Sequence, residues 1–507
     1  MHAGPARGLA LLPVHRATSS SGLLLAAALS GHGRLARHVA PRAVIGAAAS
    51  QARLIHSSKS DQIHSSERKE STIAEIPGAS PIAAPQEEQQ PRNAPLSVLP
   101  LSMIVRSFAT TVVSSSPTLL PPSLVIMNML AHTTNPLFNP DKNPILRYFL
   151  KKTFYAQFCA GEDAAEVRHT IAKLKNIGFT GVILGYAKEV VLPEDEAQNL
   201  VGEAALTETK RDIEGEITPW ADGTLTTVGL AEPGDYVALK FTGAGRLALT
   251  LLSKDAPPTP FLSDSIDAIC KLAHERGVRL LFDAEQDALQ PGIDSWTIQY
   301  ARKYNTDPSR ATIYGTYQAY KKCTPSVLSG HLALAQKEGF TVGVKLVRGA
   351  YIGSDPREVI HDTKEQTDAC YDGIAASILT RQFGSTITGE GQYPNTHLVV
   401  ASHNVESVRR ARAICDTGMA KSTVSFAQLQ GMADEVSCEL VEASASTSKP
   451  AALPVYKYLV WGTTGECMKY LLRRAQENKD AVARTRSGRD AMWAELVRRF
   501  KATFTRA

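Results

Sequence analysis

The sequence predicts an α/β fold: a distorted (β/α)8 TIM-like barrel with an N-terminal helical arm and a disordered N-terminal targeting region. Three observations carry this reading. From Thr180 onward, short apolar, β-branched runs alternate with stretches of helical period, eight times over. Amphipathic segments of helix length separate most of these runs, as parallel crossovers require and hairpins do not. Polar side chains then punctuate the C-terminal ends of the runs, where the βα loops of such a barrel build a site.

Residues 1–60 contain no Asp or Glu, yet hold Arg7, Arg16, Arg34, Arg37, Arg42 and Arg53 among Ala, Leu and Ser. That composition is expected of a mitochondrial transit peptide, with Arg53-Leu-Ile-His-Ser-Ser resembling a processing site; an unaddressed tail is the alternative. Residues 61–128, rich in Ser, Pro, Gln and Thr, read as a disordered linker. Residues 129–178 read as the helical arm, with apolar positions at helical spacing from Asn143 and a helix over Ala164–Ile177 that ends at Gly178. The barrel takes 179–507.

The expected strands are Thr180–Tyr186, Tyr236–Phe241, Arg279–Asp283, Ala311–Gln318, Thr341–Arg348, His397–His403, Thr423–Leu429 and Pro454–Val460. Ser263–Arg276 and Pro325–Glu338 are examples of the helices between them. The long, acidic Lys188–Gly234 connection is expected to add an extra helix. At or near the strand ends stand Lys240, Asp283, Gln318, Lys345, Arg348, Ser402, His403, Asn404 and Tyr458. Polar groups are costly to bury unless partnered, so their collection at one end of a barrel implies a polar pocket.

Bulk properties exclude several classes. The net charge of +5 over 507 residues is small and forms no nucleic-acid-sized basic block. Seven scattered cysteines without a CxxC pair argue against a disulfide framework or a zinc site. No HExxH, Walker-type loop or other metal spacing occurs. The apolar stretch around Leu96–Ala131 is cut by Arg106 and by prolines, so a spanning helix is not expected. Gly243-Ala-Gly245-Arg-Leu-Ala248 fits a dinucleotide fingerprint, but the proline-rich 255–260 segment interrupts the strand–helix–strand unit it needs. At the C terminus, Trp493, Leu496, Val497, Phe500 and Phe504 share one helical face, which is expected to dock on the barrel rather than lie on a membrane.

The segment that organises the rest is Val455–Asn478: a short strand, the Gly462-Thr-Thr-Gly465 turn with Thr464 as helix cap, and a helix carrying Arg473, Arg474 and Glu477. Adjacent helical positions lie about 100° apart, so two guanidiniums would approach one small carboxylate from two sides, with Glu477 pairing Arg473 at i,i+4.

This segment closely resembles the end of the catalytic domain of proline dehydrogenases, and the resemblance extends over roughly 154–499. It implies that Tyr458, Tyr470, Arg473 and Arg474 line the substrate site with Glu477 behind them, and that Leu429 packs on the substrate ring. Val237-Ala-Leu-Lys240 is similar to the family's strand whose lysine faces the substrate, and Asp283-Ala-Glu matches the segment whose aspartate partners that lysine. Gln318, and Lys345, Arg348, Gly349, Ala350 and Tyr351 of the Val344–Tyr351 motif, resemble contacts to the flavin ring. Lys364, Thr367, Ser402, His403 and Asn404 resemble contacts to the rest of FAD. Some members carry arginine where this chain has Lys345: the charge is kept and bidentate bonding is lost.

The resemblance thus implies FAD-dependent oxidation of L-proline to Δ1-pyrroline-5-carboxylate, with hydride passing to the flavin and electrons going on to a quinone. It also implies inner-membrane association on the matrix side of the mitochondrion. No metal and no nucleic acid is implied, and the oligomeric state stays open. Hydroxyproline oxidation is the alternative within the class, although Tyr458 would crowd a ring hydroxyl. A non-catalytic proline- or membrane-binding relative is the alternative outside it.

Overall fold

In a computed structural model, residues 94–133, 135–187, 206–445, 452–480 and 482–505 are described, without the side chains of 477–480, 482–484 and 505. The chain divides into two units, Met1–Gln86 and Glu87–Ala507, and every described residue belongs to the second. The expected transit peptide lies outside the described residues, as does residues 188–205 of the acidic connection.

Eight parallel strands close into a barrel in sequence order: β1 Gly181–Tyr186, β2 Tyr236–Leu239, β3 Arg279–Phe282, β4 Ile313–Gln318, β5 Val342–Val347, β6 Thr396–Ala401, β7 Thr423–Leu429 and β8 Val455–Trp461. The seam is β1 against β8, with Ile183 opposite Tyr458. Each expected strand is present: β7 has the expected bounds, and the ends of the others fall within two residues of expectation. The helices are α1 Leu101–Ser115, α2 Leu120–His132, α3 Pro144–Leu150, α4 Ala164–Ile177, α5 Thr218–Leu230, α6 Arg246–Ser253 and α7 Pro260–Arg276. They continue with α8 Gln290–Tyr304, α9 Thr324–Glu338, α10 Lys364–Thr380, α11 Val405–Asp416, α12 Asp434–Ala445, α13 Thr464–Asp480 and α14 Val482–Thr505.

Side chains alternate between two cores. Outward-facing residues such as Val182, Leu184, Val237, Leu280, Val344 and Leu398 pack against the helices. Each such buried aliphatic contributes about 1.5–3 kcal/mol relative to exposure. Inward-facing residues form a separate cluster in which Tyr236, Tyr314 and Tyr456 fill the N-terminal end of the barrel. The Tyr236 ring meets those of Tyr314 and Tyr456 edge-on, at 5.6 and 4.9 Å. This plug leaves only the C-terminal end for a site.

Local rules explain the helix ends. In α4, Val167, Ile171 and Leu174 are buried on one face, and the Asp163 carboxylate accepts from the amides of Ala165 and Glu166. The helix stops at Gly178, whose φ of +113° suits glycine.

One expectation is corrected here and another refined. The linker read through residue 128 is helical from Pro95 onward, since α1 and α2 lie within it. The prolines do not break these helices. Pro100 caps α1, and Pro121 and Pro122 sit in the first turn of α2, where no amide partner is lost. Arg106 is accommodated by donating to Gln157 Oε1 at 3.0 Å. The C-terminal helix α14, in turn, docks mainly on α1 and the 95–98 turn, and meets the barrel at Cys438 of α12. Met492 and Leu496 join their apolar cluster, and Arg499 donates to the carbonyls of Leu96, Ser97 and Leu99. Trp493 stacks on Phe108 at 5.5 Å, but Phe500 and Phe504 remain exposed.

The Gly243–Ala248 segment forms a turn and the start of α6. Its helix N-terminus is filled from within, because Glu216 accepts from the Arg246 amide at 2.7 Å. A Cβ on Gly245 would meet that same carboxylate, so the space is already occupied.

Candidate active site

Above the tyrosine plug, the inward positions turn polar. Two residues on from Ala238 comes Lys240, two on from Leu281 comes Asp283, and two on from Tyr456 comes Tyr458. Asp283 is the hub. Its Oδ1 accepts from Lys345 Nζ at 2.5 Å, while Oδ2 lies 3.5 Å from Lys240 Nζ and accepts from the Tyr458 hydroxyl at 3.4 Å. Lys345 Nζ also stands over the Tyr458 ring, 5.4 Å from its centre. The Lys240–Asp283 pair expected from the sequence is thus present but shared, and Lys345 takes the shorter contact.

Burial alone would raise the Asp283 carboxyl, yet Lys345 and Lys240 hold it below the usual carboxylate range. Burial would likewise lower Lys240, yet Tyr351, Asp283 and Glu285 push it well above the ordinary lysine range. The mouth of the barrel therefore carries two cations against one central anion.

The remaining predicted residues are distributed around that mouth. Gln318 donates to the Glu285 carbonyl and accepts from the Ala350 amide at 3.2 Å, tying the β4 end to the loop after β5. In that loop, Gly349 and Ala350 are exposed at the rim, and Tyr351 is half-buried. Arg348 pairs with Asp368 and lies over the Tyr371 ring. Lys364 reaches the other oxygen of Asp368 and is largely exposed, while Thr367 is buried and donates to the Thr363 carbonyl. Ser402 Oγ accepts from the Asn404 amide, and Asn404 caps α11 by accepting from Ser407. His403 Nε2 accepts from the Leu429 amide at 3.1 Å, which fixes the β7 end beside the β6 loop.

Substrate-side candidates gather on the β7–β8–α13 flank. Leu429 and Tyr458 are register partners across β7 and β8, and both pack on a cluster that contains Tyr470 and Leu471. Tyr470 is buried, and the Arg474 guanidinium lies 5.0 Å from its ring centre. Arg474 is buried and Arg473 half-buried. The Glu477 side chain lies outside the described residues. The expected Thr464 cap is corrected to Thr463, whose hydroxyl accepts from the Glu466 amide while Glu466 accepts from the Thr463 amide. The Thr-x-x-Glu spacing was the signal for this capping box.

The proline dehydrogenase family matches residues 167–487, which is more than half of the chain. The chain belongs to the proline dehydrogenase family.

Relatives within the family span most of the described barrel. A probable mitochondrial proline dehydrogenase of Schizosaccharomyces pombe is 29% identical, covering 70% of this chain and 80% of the relative. The mitochondrial proline dehydrogenase 1 of Arabidopsis thaliana is 31% identical, covering 70% and 75%. A hydroxyproline dehydrogenase of Bos taurus is 30% identical over 69% and 81%. Among solved structures, proline utilization A from Bdellovibrio bacteriovorus superimposes with a TM-score of 0.52 at 17% identity. It covers 77% of this chain and 39% of that one, and at this identity the likeness speaks for the fold alone.

The sequence reading of this proline dehydrogenase family member missed the groups that brace its loops. Lys321, just past β4, is buried between Asp287 at 2.9 Å and Asp355 at 3.3 Å. Tyr320 donates to Asp355 at 2.5 Å, and Asp355 accepts from the Asp287 amide. The loops after β3, β4 and β5 are thereby joined. The signal available was a lysine soon after β4 and acids within the loops that follow β3 and β5.

This bracing makes Gly349 a sensitive position. Its φ is +147°, and a Cβ there would come within 2.3 Å of the Tyr320 ring, which Asp355 prevents from swinging aside. Gly349→Ala is expected to cost about 1–3 kcal/mol of stability. A wild-type melting temperature would contradict this.

Proposed function

We propose that this chain is an FAD-dependent L-proline dehydrogenase that forms Δ1-pyrroline-5-carboxylate and passes electrons to a quinone. The observation that carries the reading is the meeting of Lys240, Asp283, Lys345 and Tyr458 at one end of a barrel whose last strand leads directly into the helix bearing Arg473 and Arg474.

The residues present suit a flavin. Thr316 Oγ1 and Arg348 Nη1 are buried without a protein hydrogen-bond partner among the described residues, so each has bonding capacity for a bound group. Ala238 and Ala427, with Ala401, are small inward residues below the polar ring. Gln318, Lys345, Arg348, Gly349, Ala350 and Tyr351 would hold the ring and ribityl side, with Lys364, Thr367, Ser402, His403 and Asn404 toward the remainder. When bound, FAD supplies the acceptor for the hydride. The chain's part is to grip the carboxylate with Arg473 and Arg474, to shape the ring pocket with Leu429, Tyr458 and Tyr470, and to hold two cations where negative charge develops.

The test is anaerobic addition of L-proline to the purified protein while its visible absorption is followed. Bleaching of the flavin band supports the reading and excludes a catalytically silent binding protein. Absence of flavin, or flavin that stays oxidised, refutes it. Hydroxyproline remains the second reading because one relative carries that activity in its name. A Cβ at Gly185 would lie 3.0 Å from the Tyr458 hydroxyl, so that ring already fills the space beside β1. We therefore expect kcat/KM to favour proline.

Matrix-side association with the inner membrane is part of the same reading. No described helix is long and apolar enough to cross a membrane. No Asp, Glu, Lys or Arg occurs between Arg106 and Asp141. Val125, Ile126 and Met129 of α2, Leu137 and Phe138, and Ile145, Tyr148 and Phe149 of α3 are exposed, with Lys142 and Lys152 beside them. An uncharged apolar surface edged by aromatic rings and lysines suits the interface of an anionic bilayer. Vesicles of phosphatidylcholine with cardiolipin should therefore carry the protein on flotation, and Val125→Asp with Phe149→Asp should release it. Equal flotation of the variant would refute this surface.

A further inference from the structure

The helix that carries the two arginines does not begin on its own. Its first three free amides, which have no partner inside a helix, are each satisfied from outside the helix. Glu162 Oε1 accepts from the Thr464 amide at 2.9 Å and from the Thr464 hydroxyl at 2.7 Å. Asp141 Oδ1 accepts from the Gly465 amide at 2.8 Å, and its other oxygen from the Thr463 hydroxyl at 3.3 Å. Thr463 Oγ1 takes the Glu466 amide. Two of the three partners are carboxylates from the N-terminal arm, more than 300 residues away in sequence, and both face the positive end of the helix dipole.

Glu162 is itself held from the other side. Arg147 makes a two-pronged contact, with Nη2 at 2.7 Å and Nε at 3.0 Å from one carboxylate oxygen, and Lys151 Nζ stands 2.7 Å away. The Glu162 side chain is only 5% exposed. Burial works against its charge, but bonds from Arg147, Lys151 and Thr464 outweigh it and hold the carboxyl at about 2. The backbone around it is strapped to the same place: the Ala160 amide donates to the Val460 carbonyl at 2.8 Å, and the Gly462 amide to the Gly161 carbonyl at 3.1 Å. The Tyr155 hydroxyl donates to the Gly462 carbonyl at 2.7 Å. The arm thus clamps the β8–α13 turn on every side.

We propose that Glu162, with Asp141, is a positioning residue for the substrate site: the pair fixes the first turn of α13 and so sets where Arg473 and Arg474 stand. Arg473 lies roughly 14 Å along the helix axis from Thr464, so a small tilt at the start displaces a guanidinium enough to spoil a two-pronged contact. The Glu162 carboxylate bonds to Arg147, Lys151 and Thr464, and the Asp141 carboxylate to Thr463 and Gly465, so both act through the first turn of α13. The inference rests on the proposed grip of the proline carboxylate by these arginines.

The experiment is a double-mutant cycle in the full-length, flavin-loaded protein, with wild type, Glu162→Gln, Arg474→Met and the pair compared. Glu162→Gln is expected to raise the KM for proline about ten-fold with kcat within about two-fold and an unchanged flavin spectrum. In the Arg474→Met background the same change should add less than about two-fold, because the group it positions is gone. A structural role alone would lower folded protein without this split, and its effect would multiply in full with that of Arg474→Met. Either that outcome or an unchanged KM overturns the proposal. Should Glu162→Gln fail to fold, Asp141→Asn, whose carboxylate accepts from Thr463 and Gly465, is read in the same cycle. If wild-type flavin is reduced by proline while the cycle is additive, this inference alone fails. If wild-type flavin is not reduced, the functional reading fails and the inference with it.

Discussion

Arg474→Met is expected to raise the KM for L-proline roughly 30- to 150-fold, the loss of about 2–3 kcal/mol from a charge-assisted contact to the substrate carboxylate. Methionine keeps the apolar volume that packs beside Tyr470, so the cluster beneath α13 should survive. Arg474 is buried against that ring, whereas Arg473 is half-buried, so Arg473→Met should have the smaller effect. Arg474→Lys should fall between wild type and methionine, since it retains the charge but not the planar fork. Flavin content should be close to wild type in all three, because none of these side chains stands among the expected flavin contacts. Steady-state kinetics with proline, together with the flavin-to-protein absorbance ratio, read the result. An unchanged KM in Arg474→Met would remove the clamp from the reading.

Asp283→Asn is expected to be the most damaging single change. Asp283 is the one carboxylate between Lys345 and Lys240, and it also takes the Tyr458 hydroxyl. Removing its charge leaves two lysines facing each other in a largely buried site, which costs about 3–5 kcal/mol. For a barrel of this size the melting temperature should fall by roughly 10 °C, and kcat should fall with it. Asp283→Asn with Lys345→Met, which removes one of the stranded charges, should regain stability without regaining activity. A wild-type melting temperature in Asp283→Asn would show that the two lysines do not depend on this anion.

The same triad sets the pH limits. The folded-state pKa of Asp283 is depressed, so its stabilisation is complete above about pH 4, the unfolded value, and is lost as pH falls below it. Lys240 is shifted upward, so its contribution is complete below about pH 10.4 and is lost only as pH rises beyond that. Thermal unfolding followed across pH should show a plateau between these limits, and Asp283→Asn should make the acid arm shallower, with the depressed Glu162 carboxyl keeping part of it.

The barrel was legible in the sequence because parallel strands buried on both faces read as apolar runs, and their polar ends are exceptions that stand out. Lys240, Asp283, Lys345, Gln318 and Tyr458 could be picked out that way one strand at a time. Residues 95–128 misled the reading because their Ser, Pro and Thr content was taken as linker composition, although proline in a first turn costs nothing. What no local pattern contained was pairing over distance. Period and composition determined the eight strands, their order of polar ends and the paired arginines, since those depend on neighbours along the chain. Only tertiary structure decided that Lys345 takes Asp283 more closely than Lys240 does, and that Lys321 joins three loops. It also decided that Glu162 and Asp141, more than 300 residues earlier in the chain, accept from the first amides of the arginine helix. The reason is that an ion pair or a cap is specified by geometry between elements, and barrel closure alone brings those elements together.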